Sequence, residues 1–358
     1  MFNHIISGHY SFPTLKQIFL TFRYGHLVKK TIDVTTIGNA IVDTIASVDD
    51  VFLQDVGIEK GTMCLINDGQ IKSFSSNIRS TINTSGGSAA NTIVGFSILG
   101  GKGAYIGKVK ADTAGKVFIN NLDHLGIHYT TKPTISGPAT AQCLVFVTPD
   151  AQRSMATYLG ASTELKAEDI DPEIIISSQM VYLEGYLWDP PKAKDAFKKA
   201  ISLAHDSGGK VALSLSDSFC VERYRDEFLD LVENQIDMLF ANESEIMSLY
   251  QTNEFETAIN SLPKTNLIAA ITRGKQGSVI LCNDDKWIIP SQNINTVLDT
   301  TGAGDLYAAG FLYAYINKYD LDICGKLGGL VAAEIIKHFG ARPQTDLKLL
   351  SDAFLKSA

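Results

Sequence analysis

The sequence lacks the cysteine arrangements that mark disulfide-bonded or zinc-binding proteins. Its five cysteines are odd in number, lie far apart and include no CxxC pair. Isolated cysteines are typical of free thiols in a reducing compartment, so we expect a cytoplasmic protein without a structural zinc site. His124 and His128 lie four residues apart, but no third ligand is near them, which favours a solvated pair over a metal site.

Long apolar runs and an excess of positive charge are also missing. No apolar run reaches the roughly 18 residues that a membrane-spanning helix requires. The formal net charge is -8, and an acidic chain is poorly suited to nucleic acid as its main partner. The composition, with 45% hydrophobic and 20% charged residues, is that of an ordinary globular enzyme. We therefore expect a small-molecule substrate, and neither a membrane nor a nucleic-acid partner.

The first 32 residues lack acidic side chains altogether, although they carry lysines, arginine and histidines. A basic leader of this kind can be an organellar transit peptide, but serine and arginine are not enriched in it. We favour an N-terminal extension or an additional helix over residues 1–32. The folded domain is then expected to occupy residues 33–358.

Two common nucleotide-binding motifs are absent. No Walker A sequence occurs anywhere in the chain. Gly101, Gly103 and Gly107 nearly form a dinucleotide-binding fingerprint, but the last spacing is one residue too long. This stretch also follows a predicted helix and enters a predicted strand, which is the reverse of the order in that motif. The sequence therefore supports neither a P-loop kinase nor a Rossmann dehydrogenase.

Short apolar runs alternate with helical segments through the middle of the chain. The runs are predicted as strands at 180–184, 211–216, 238–242 and 267–272. Strands that alternate with helices of 10–15 residues indicate βαβ units and a mostly parallel sheet. Ligands of such sheets bind at the carboxyl ends of the strands. The polar groups predicted to meet at that edge are Asp217 and residues 242–245, 272–274 and 299–305.

The most informative stretch is residues 299–305, with the sequence DTTGAGD, which precedes an apolar segment of helical spacing. It predicts a strand, a turn of small residues and a helix N-terminus. The N–H groups of such a turn and the helix dipole favour a bound anion. Asp305 could act there as the general base that takes a proton from an attacking hydroxyl. Alternatively, Asp305 only compensates the helix dipole.

A second motif is GGSAAN at residues 86–91, which leads into an apolar helix. Two glycines before a serine, predicted as the N-cap, would let a ligand approach the backbone closely. Asn91 would lie one turn into the helix and face the same space. Alternatively, the glycines only form the start of the helix and have no role in binding a ligand.

A strand is predicted from Asp33 to Asp43, interrupted at Gly38 and Asn39. Asp43 follows in an apolar neighbourhood, where a carboxylate either caps a loop or accepts hydrogen bonds from two neutral hydroxyls. Residues 44–85 show no long helical pattern. They predict short strands with a connecting helix near residues 70–80.

Taken together, the two glycine motifs resemble those of the PfkB, or ribokinase-like, carbohydrate and nucleoside kinases. The match runs from about Asp33 to the C-terminus, and the motifs occur in the family's order and separation. The resemblance implies an α/β fold, a ribokinase-like three-layer sandwich with a mostly parallel central sheet. It also implies a small β-rich lid, contributed mainly from within residues 44–85 and 139–160.

The same resemblance implies roles on the phosphate side. Asp305 would be the base for the acceptor hydroxyl, and the amides of Gly302, Ala303 and Gly304 would form the anion hole. Glu245 would help to organise Mg²⁺ through water, and a monovalent cation is a further possible requirement. The residues implied to contact the co-substrate ATP are Asn242, Thr272, Gly274 and Thr301.

On the acceptor side, the resemblance implies that Arg153 closes over the substrate and phosphate. The residues implied to bind the acceptor are Asn39, Asp43, Gly86, Gly87 and Asn91. The spacing from Gly38 to Asp43 resembles adenosine kinases more than ribokinases, which implies phosphorylation of the adenosine 5′ hydroxyl by a monomer. A kinase acting on ribose, fructose or another nucleoside is the main alternative. A catalytically silent nucleoside-binding protein is a third hypothesis.

Overall fold

The computed structural model describes residues 29–78, 82–150, 152–294 and 296–357. The predicted N-terminal extension therefore lies outside the described residues, except for its last four positions. Within the described part, no helix is long and apolar enough to cross a membrane. All five cysteines fall in this part, and each is a free thiol, as the sequence predicts.

The strands of the described residues belong to two sheets. They are β1 (Ile32–Ile37), β2 (Ile41–Ser47), β3 (Met63–Leu65), β4 (Ile82–Gly86), β5 (Gly103–Ile106), β6 (His128–Tyr129), β7 (Ala141–Val147), β8 (Arg153–Tyr158), β9 (Ser178–Glu184), β10 (Lys210–Ser214), β11 (Met238–Asn242), β12 (Ile268–Thr272), β13 (Ser278–Cys282) and β14 (Asp285–Ile289).

The α-helices connect these strands or follow them. They are α1 (Asp50–Asp55), α2 (Asp68–Asn77), α3 (Ser88–Ile98), α4 (Thr113–His124), α5 (Pro172–Ser177), α6 (Pro191–Asp206), α7 (Ser218–Arg223), α8 (Arg225–Asn234), α9 (Glu243–Leu249), α10 (Phe255–Asn260), α11 (Ala303–Ile316), α12 (Leu321–Ile335) and α13 (Leu347–Leu355).

The larger sheet has nine strands in the order β14-β13-β12-β11-β10-β9-β1-β5-β6. The strands from β12 to β6 in that order pair in parallel, and β13 and β14 add two antiparallel pairings at one edge. Its inner strands β9 to β12 are largely apolar on both faces because helices cover both faces. The predicted α/β fold with a mostly parallel sheet is confirmed.

Alternate residues of each strand enter different cores. In β9, Leu183 packs with Phe197 and Phe228 of the helices on one face. The neighbouring Tyr182 packs on the opposite face with Phe96 and Phe311. This period of two is the geometry of a strand buried on both sides, and it produces three layers of helix, sheet and helix.

The smaller sheet has five strands in the order β3-β8-β7-β2-β4. In β7, Leu144 and Phe146 face a separate core under α1 and α2, where Phe74 contacts Phe146. The intervening Cys143 faces a cavity between the two sheets. The sheet therefore has one packed face and one face directed at a ligand-sized space. That it moves as a lid remains a prediction.

Helix α11, which follows the glycine turn at 302–304, packs closely on α12. A Cβ atom on Gly310 would lie 2.9 Å from the carbonyl oxygen of Leu327, and one on Gly328 would lie 2.8 Å from that of Tyr307. Real Cβ atoms essentially never approach other atoms this closely. The two helices are therefore in contact through their backbones, which only glycine permits.

Three local expectations from the sequence differ from the structure. The segment before Asp299 is no strand in its described residues; instead the N–H of Leu298 donates to the Ile336 carbonyl beyond the end of α12. The N-cap of α3 is Gly87 rather than Ser88, because the chain enters the helix at φ 94°. The apolar spacing before residues 340–343 also predicts a last long helix over 325–339, which in the structure is α12 and lies four residues earlier.

Candidate active site

A cavity of about 740 Å³ lies at the carboxyl ends of the central strands, against the open face of the smaller sheet. Its walls bring together, from distant parts of the chain, most of the residues that the sequence singled out. Those residues are Asn39, Asp43, Gly87, Asn91, Asn242, Glu245, Thr272, Thr301, Gly302, Ala303, Gly304 and Asp305.

The three other predicted residues lie beside this cavity rather than on its wall. A Cβ atom on Gly86 would be 2.2 Å from a carboxylate oxygen of Asp43, so this glycine makes room for that side chain. Arg153 lines a smaller neighbouring cavity of about 280 Å³. Gly274 begins a short 3-10 helix directly after β12, with φ 54°.

The turn before α11 requires glycine for different reasons at its two ends. Gly302 has φ 78°, and a Cβ atom there would also meet the Cβ atom of Ala341 at 2.6 Å. Gly304 is exposed on the cavity wall, and nothing lies within 4 Å of the position of a Cβ atom. Packing therefore explains Gly302, whereas the open cavity lies in front of Gly304. Together with the N-terminus of α11, this turn can bind an anion.

Asp305 is held by two donors from α3. The Ser88 hydroxyl donates to Oδ1 at 2.6 Å, and the Asn91 Nδ2 group donates to Oδ2 at 2.9 Å. Burial raises the pKa of Asp305 to about 6, although these hydrogen bonds and the charge of Arg342 act in the opposite direction. The carboxylate is therefore mostly ionised at neutral pH, and it is more basic than an ordinary aspartate.

Asp43 lies on β2 and lines both the main cavity and the smaller one. Among the described residues its carboxylate accepts no hydrogen bond, so it does not cap a loop. Burial raises the pKa of Asp43 to about 6, against the lowering effect of Arg342 and Arg153. An ionised carboxylate with its lone pairs available can accept hydrogen bonds from two ligand hydroxyls.

Asn39 is engaged inside the protein. Its Nδ2 group donates to Glu184 Oε1 at 2.7 Å, and its Oδ1 atom accepts from the Ser162 hydroxyl at 2.8 Å. The other oxygen of Glu184 accepts from the backbone N–H of Ala89 at 2.8 Å. Burial raises the pKa of Glu184, which is 1% exposed, to about 7. Sequence reasoning did not single out Glu184, although an acid that ends an otherwise apolar strand was a usable signal.

Asn242 and Glu245 form a reciprocal cap at the start of α9. Glu245 accepts from the Asn242 backbone N–H at 2.9 Å and from its Nδ2 group at 2.6 Å, so both carboxylate oxygens are in use. Burial raises the pKa of Glu245 to about 7, and the charges of Asp217 and Asp305 add to this shift.

These oxygen donors suit Mg²⁺, which prefers carboxylate, water and substrate phosphate ligands. The described residues contain no group of three side chains that could hold a metal by themselves. Both oxygens of Glu245 are already hydrogen-bonded. The site therefore fits best an ion that is held mainly by phosphate and that Glu245 contacts through water.

Arg153 joins the smaller sheet to the loop that precedes the anion site. Its Nη1 group pairs with Asp299 Oδ2 at 2.5 Å, and both side chains are about nine-tenths buried. Asp299 also accepts from the backbone N–H of Gly340 at 2.8 Å and from the Thr301 hydroxyl at 2.7 Å. Arg153 lies over the Phe339 ring as well, 5.2 Å from its centroid.

The fold and the site define a class of protein: a ribokinase-like phosphotransferase with a glycine-built anion site and a carboxylate beside it. Residues 67–347 match the family model described as pfkB family carbohydrate kinase, and the chain belongs to this family. The family predicted from the sequence is therefore confirmed. Membership of this family implies ATP as the co-substrate and a hydroxyl group of a small molecule as the acceptor.

Two solved structures are similar over nearly the whole chain. An adenosine kinase from Sinorhizobium meliloti is 45% identical with a TM-score of 0.82, covering 90% of this chain and 99% of that one. A probable sugar kinase from Rhizobium etli is also 45% identical with a TM-score of 0.83, covering 90% and 98%. Among curated relatives, a nucleoside kinase of Methanocaldococcus jannaschii is 29% identical over 73% of this chain and 82% of its own length.

Proposed function

We propose that this protein is an adenosine kinase, which transfers the γ-phosphoryl group of ATP to the 5′ hydroxyl of adenosine. The observation that carries the proposal is an apolar rim on the cavity. Met63 and Leu65 of β3 are 46% and 61% exposed, and Phe219 of α7 is 69% exposed, although all three line the cavity. Large apolar side chains beside a polar centre suit a ligand that has both an apolar and a polar part.

A nucleoside has both an apolar and a polar part. Its purine offers a flat apolar surface for Met63, Leu65 and Phe219, and burying that surface is favourable at roughly 25 cal/mol per Å². Its ribose offers neutral hydroxyls to Asp43, whose carboxylate has free lone pairs. A free sugar would satisfy Asp43 but would leave the apolar rim in water. The similarity to an adenosine kinase at 45% identity supports the same acceptor.

The proposed mechanism follows from the positions of the polar groups. An alcohol is a poor nucleophile at neutral pH, so Asp305 accepts the hydroxyl proton while the bond to phosphorus forms. Ser88 and Asn91 hold its carboxylate in place, and one of their hydrogen bonds gives way to the acceptor hydroxyl. The N–H groups of the Gly302–Gly304 turn and the dipole of α11 stabilise the charge on the phosphoryl oxygens.

When bound with ATP, Mg²⁺ would neutralise phosphate charge and orient the phosphates. Asn242 and Glu245 would meet the hydration shell of that ion. Water must be kept from the phosphoryl group, since ATP would otherwise be hydrolysed. We assign this to the smaller sheet, whose closure would be seen as a difference between free and ligand-bound structures. A sheet that stays fixed with both substrates bound would contradict that assignment.

The test is a coupled ADP-release assay with Mg-ATP and a panel of adenosine, inosine, guanosine, ribose and fructose. We expect turnover on adenosine at far lower concentrations than on either sugar. Efficient turnover on ribose or fructose, with none on nucleosides, would overturn the acceptor and leave the family intact. Failure of every acceptor in a protein that still binds ATP would favour the silent nucleoside-binding hypothesis.

A sugar kinase is the second candidate, and one observation favours it. The probable sugar kinase from Rhizobium etli is as similar to this chain as the adenosine kinase is. The apolar rim distinguishes the two candidate acceptors, because only a nucleoside has a flat apolar base that can cover it. Adenosine should therefore protect the protein against thermal unfolding, while ribose at the same concentration should not.

A further inference from the structure

Arg342 is a partly buried cation that the proposed mechanism does not use. It follows Ala341, whose Cβ atom lies where a side chain on Gly302 would be, so the segment is packed directly against the anion-site turn. Its Nη2 group donates to the backbone carbonyl of Ser85 and, at 2.9 Å, to the Ser85 hydroxyl. One side chain thus contacts the residue that precedes the Gly86-Gly87 turn and lies next to the turn that begins α11.

The charge of Arg342 has no carboxylate partner of its own. Within the described part of the chain, no acidic oxygen lies within 4.0 Å of its guanidinium group, and its Nη1 atom is buried without a hydrogen-bond acceptor. Arg153, the other arginine of this region, is neutralised by Asp299. Arg342 instead lines the smaller cavity together with Asp43, and its charge also acts on Asp305 in the adjoining active site.

We propose that Arg342 is a positioning residue of the acceptor site, which holds the end of β4 at Ser85 and supplies the positive charge that keeps Asp43 and Asp305 ionised together. Two like charges that share a buried site disfavour each other unless a cation balances them. Burial lowers the pKa of Arg342 to about 10, so it stays charged at neutral pH. The proposal rests on the proposed role of Asp305 as the base.

Other titratable groups face these two carboxylates from the surrounding elements. They are Arg153 on β8, Cys143 on β7, Tyr182 and Glu184 on β9, Tyr186 after it, and Glu245 on α9. Burial raises the pKa of Cys143 to about 12 and those of both tyrosines further, so these groups stay neutral. Glu184 and Glu245 titrate near neutral pH, but they are present in wild type and variant alike.

The first test compares pH profiles of kcat/KM for the best acceptor of the panel. Removing a positive charge raises the pKa of neighbouring carboxylates, so Arg342→Met should move the acidic limb up by about one pH unit. Arg342→Lys keeps the positive charge but loses the planar guanidinium group that binds Ser85. It should therefore leave the acidic limb of the profile in place and raise the KM for the acceptor about tenfold. An Arg342→Met profile that is lower at every pH but not displaced would overturn the proposal.

The second test needs no acceptor, so it separates this proposal from the proposed function. Asp43 and Asp305 have raised folded-state pKa values, so the folded protein binds more protons than the unfolded chain and loses stability as pH rises through that range. Without Arg342 the pKa values rise further, and the loss extends to higher pH. The Tm deficit of Arg342→Met should therefore grow from pH 5 to pH 8. A deficit that is equal at all pH values would contradict the proposal.

Arg225→Met is the matched control for both tests. Arg225 is also a partly buried arginine that donates to a backbone carbonyl, that of Leu249, at 2.8 Å. It lies on α8, away from the cavity, and its acidic contact is the exposed Asp226 at 3.4 Å. We expect Arg225→Met to change neither the acidic limb nor the pH dependence of the Tm deficit.

Discussion

On the proposed assignment of the ligands, the cavity has an acceptor half around Asp43 and Asp305 and an ATP half around Glu245, and the two differ in how buried negative charge is balanced. In the acceptor half, Asp43 and Asp305 are accompanied by the guanidinium groups of Arg153 and Arg342. In the ATP half, the buried Glu245 forms no ion pair with any described residue. The difference matches the ligands we propose. A neutral nucleoside brings no cation, so the protein supplies one, whereas ATP arrives with Mg²⁺.

Replacing Asp305 should produce the largest effect and would test the acceptor half directly. Asp305→Asn keeps the size of the side chain but cannot accept a proton, so kcat should fall by about 10²–10⁴-fold, the usual contribution of a general base. ATP binding, measured by calorimetry, should be retained, and Tm should not fall, because a buried charge has been removed. Near-normal turnover by the Asp305→Asn variant would show that Asp305 only compensates the dipole at the N-terminus of α11.

Gly304→Ala should have the second-largest effect, because Gly304 lies at the proposed anion site, where the acceptor half and the ATP half of the cavity meet. The new methyl group would enter the open space in front of the anion site, so kcat should fall by about 10²-fold, as when one donor of an oxyanion site is lost. Tm should be unchanged, since no protein atom lies within 4 Å of the new group. Gly329→Ala on α12 is the control, because a Cβ atom there also meets nothing within 4 Å. Equal activity of both variants would contradict the assignment.

Glu245→Gln would test the ATP half alone. The amide keeps one acceptor for the cap with Asn242 but removes the negative charge that faces the metal hydration shell. We expect the Mg²⁺ concentration for half-maximal activity to rise about tenfold, in the range found for residues behind a metal's direct ligands. The KM for the acceptor should stay within about twofold of the wild-type value, because Glu245 lies outside the acceptor half. A change confined to the acceptor KM would mean that the two halves are not separate.

Phe219→Ala should give the smallest effect and the most selective one. Loss of an aromatic face against a base is worth about 1–3 kcal/mol, so the KM for adenosine should rise about tenfold. The side chain is largely exposed without ligand, so Tm should be unchanged. The residual activity on ribose, if any is measurable in the wild type, is the internal reference and should not change. A parallel loss on both acceptors would place Phe219 outside the base site.

The features that sequence predicted well are those encoded within a few residues. DTTGAGD at 299–305 contains its own turn, helix start and carboxylate, and the apolar runs of the middle strands alternate with helices along the chain. Patterns of this kind can be recognised because the residues that specify them are adjacent in the chain. The α/β fold, and the turn and helix start that carry Asp305, therefore followed from the sequence.

The features that sequence missed depend on contacts between distant segments. In the sequence Arg342 only follows the end of a helix, and it becomes part of the site because Ala341 packs against Gly302. Ser88 was expected to cap its own helix, but its hydroxyl donates to Asp305, 217 positions away. Glu184 is important because Asn39 and Ala89 both donate to it. No pattern within a single segment carries that information.

The glycine contact between α11 and α12 also bears on how this enzyme could change during evolution. Since Gly310 and Gly328 leave no space between the helix backbones, the part that carries Asp305 and the anion site tolerates little rearrangement. On the face of the smaller sheet that we propose for the acceptor, the comparable contact is that of Gly86 with the side chain of Asp43, whereas Met63 and Leu65 are exposed. New acceptors could therefore arise through substitutions on that face while phosphoryl transfer is inherited intact. Relatives named for nucleosides and for sugars are consistent with such a history.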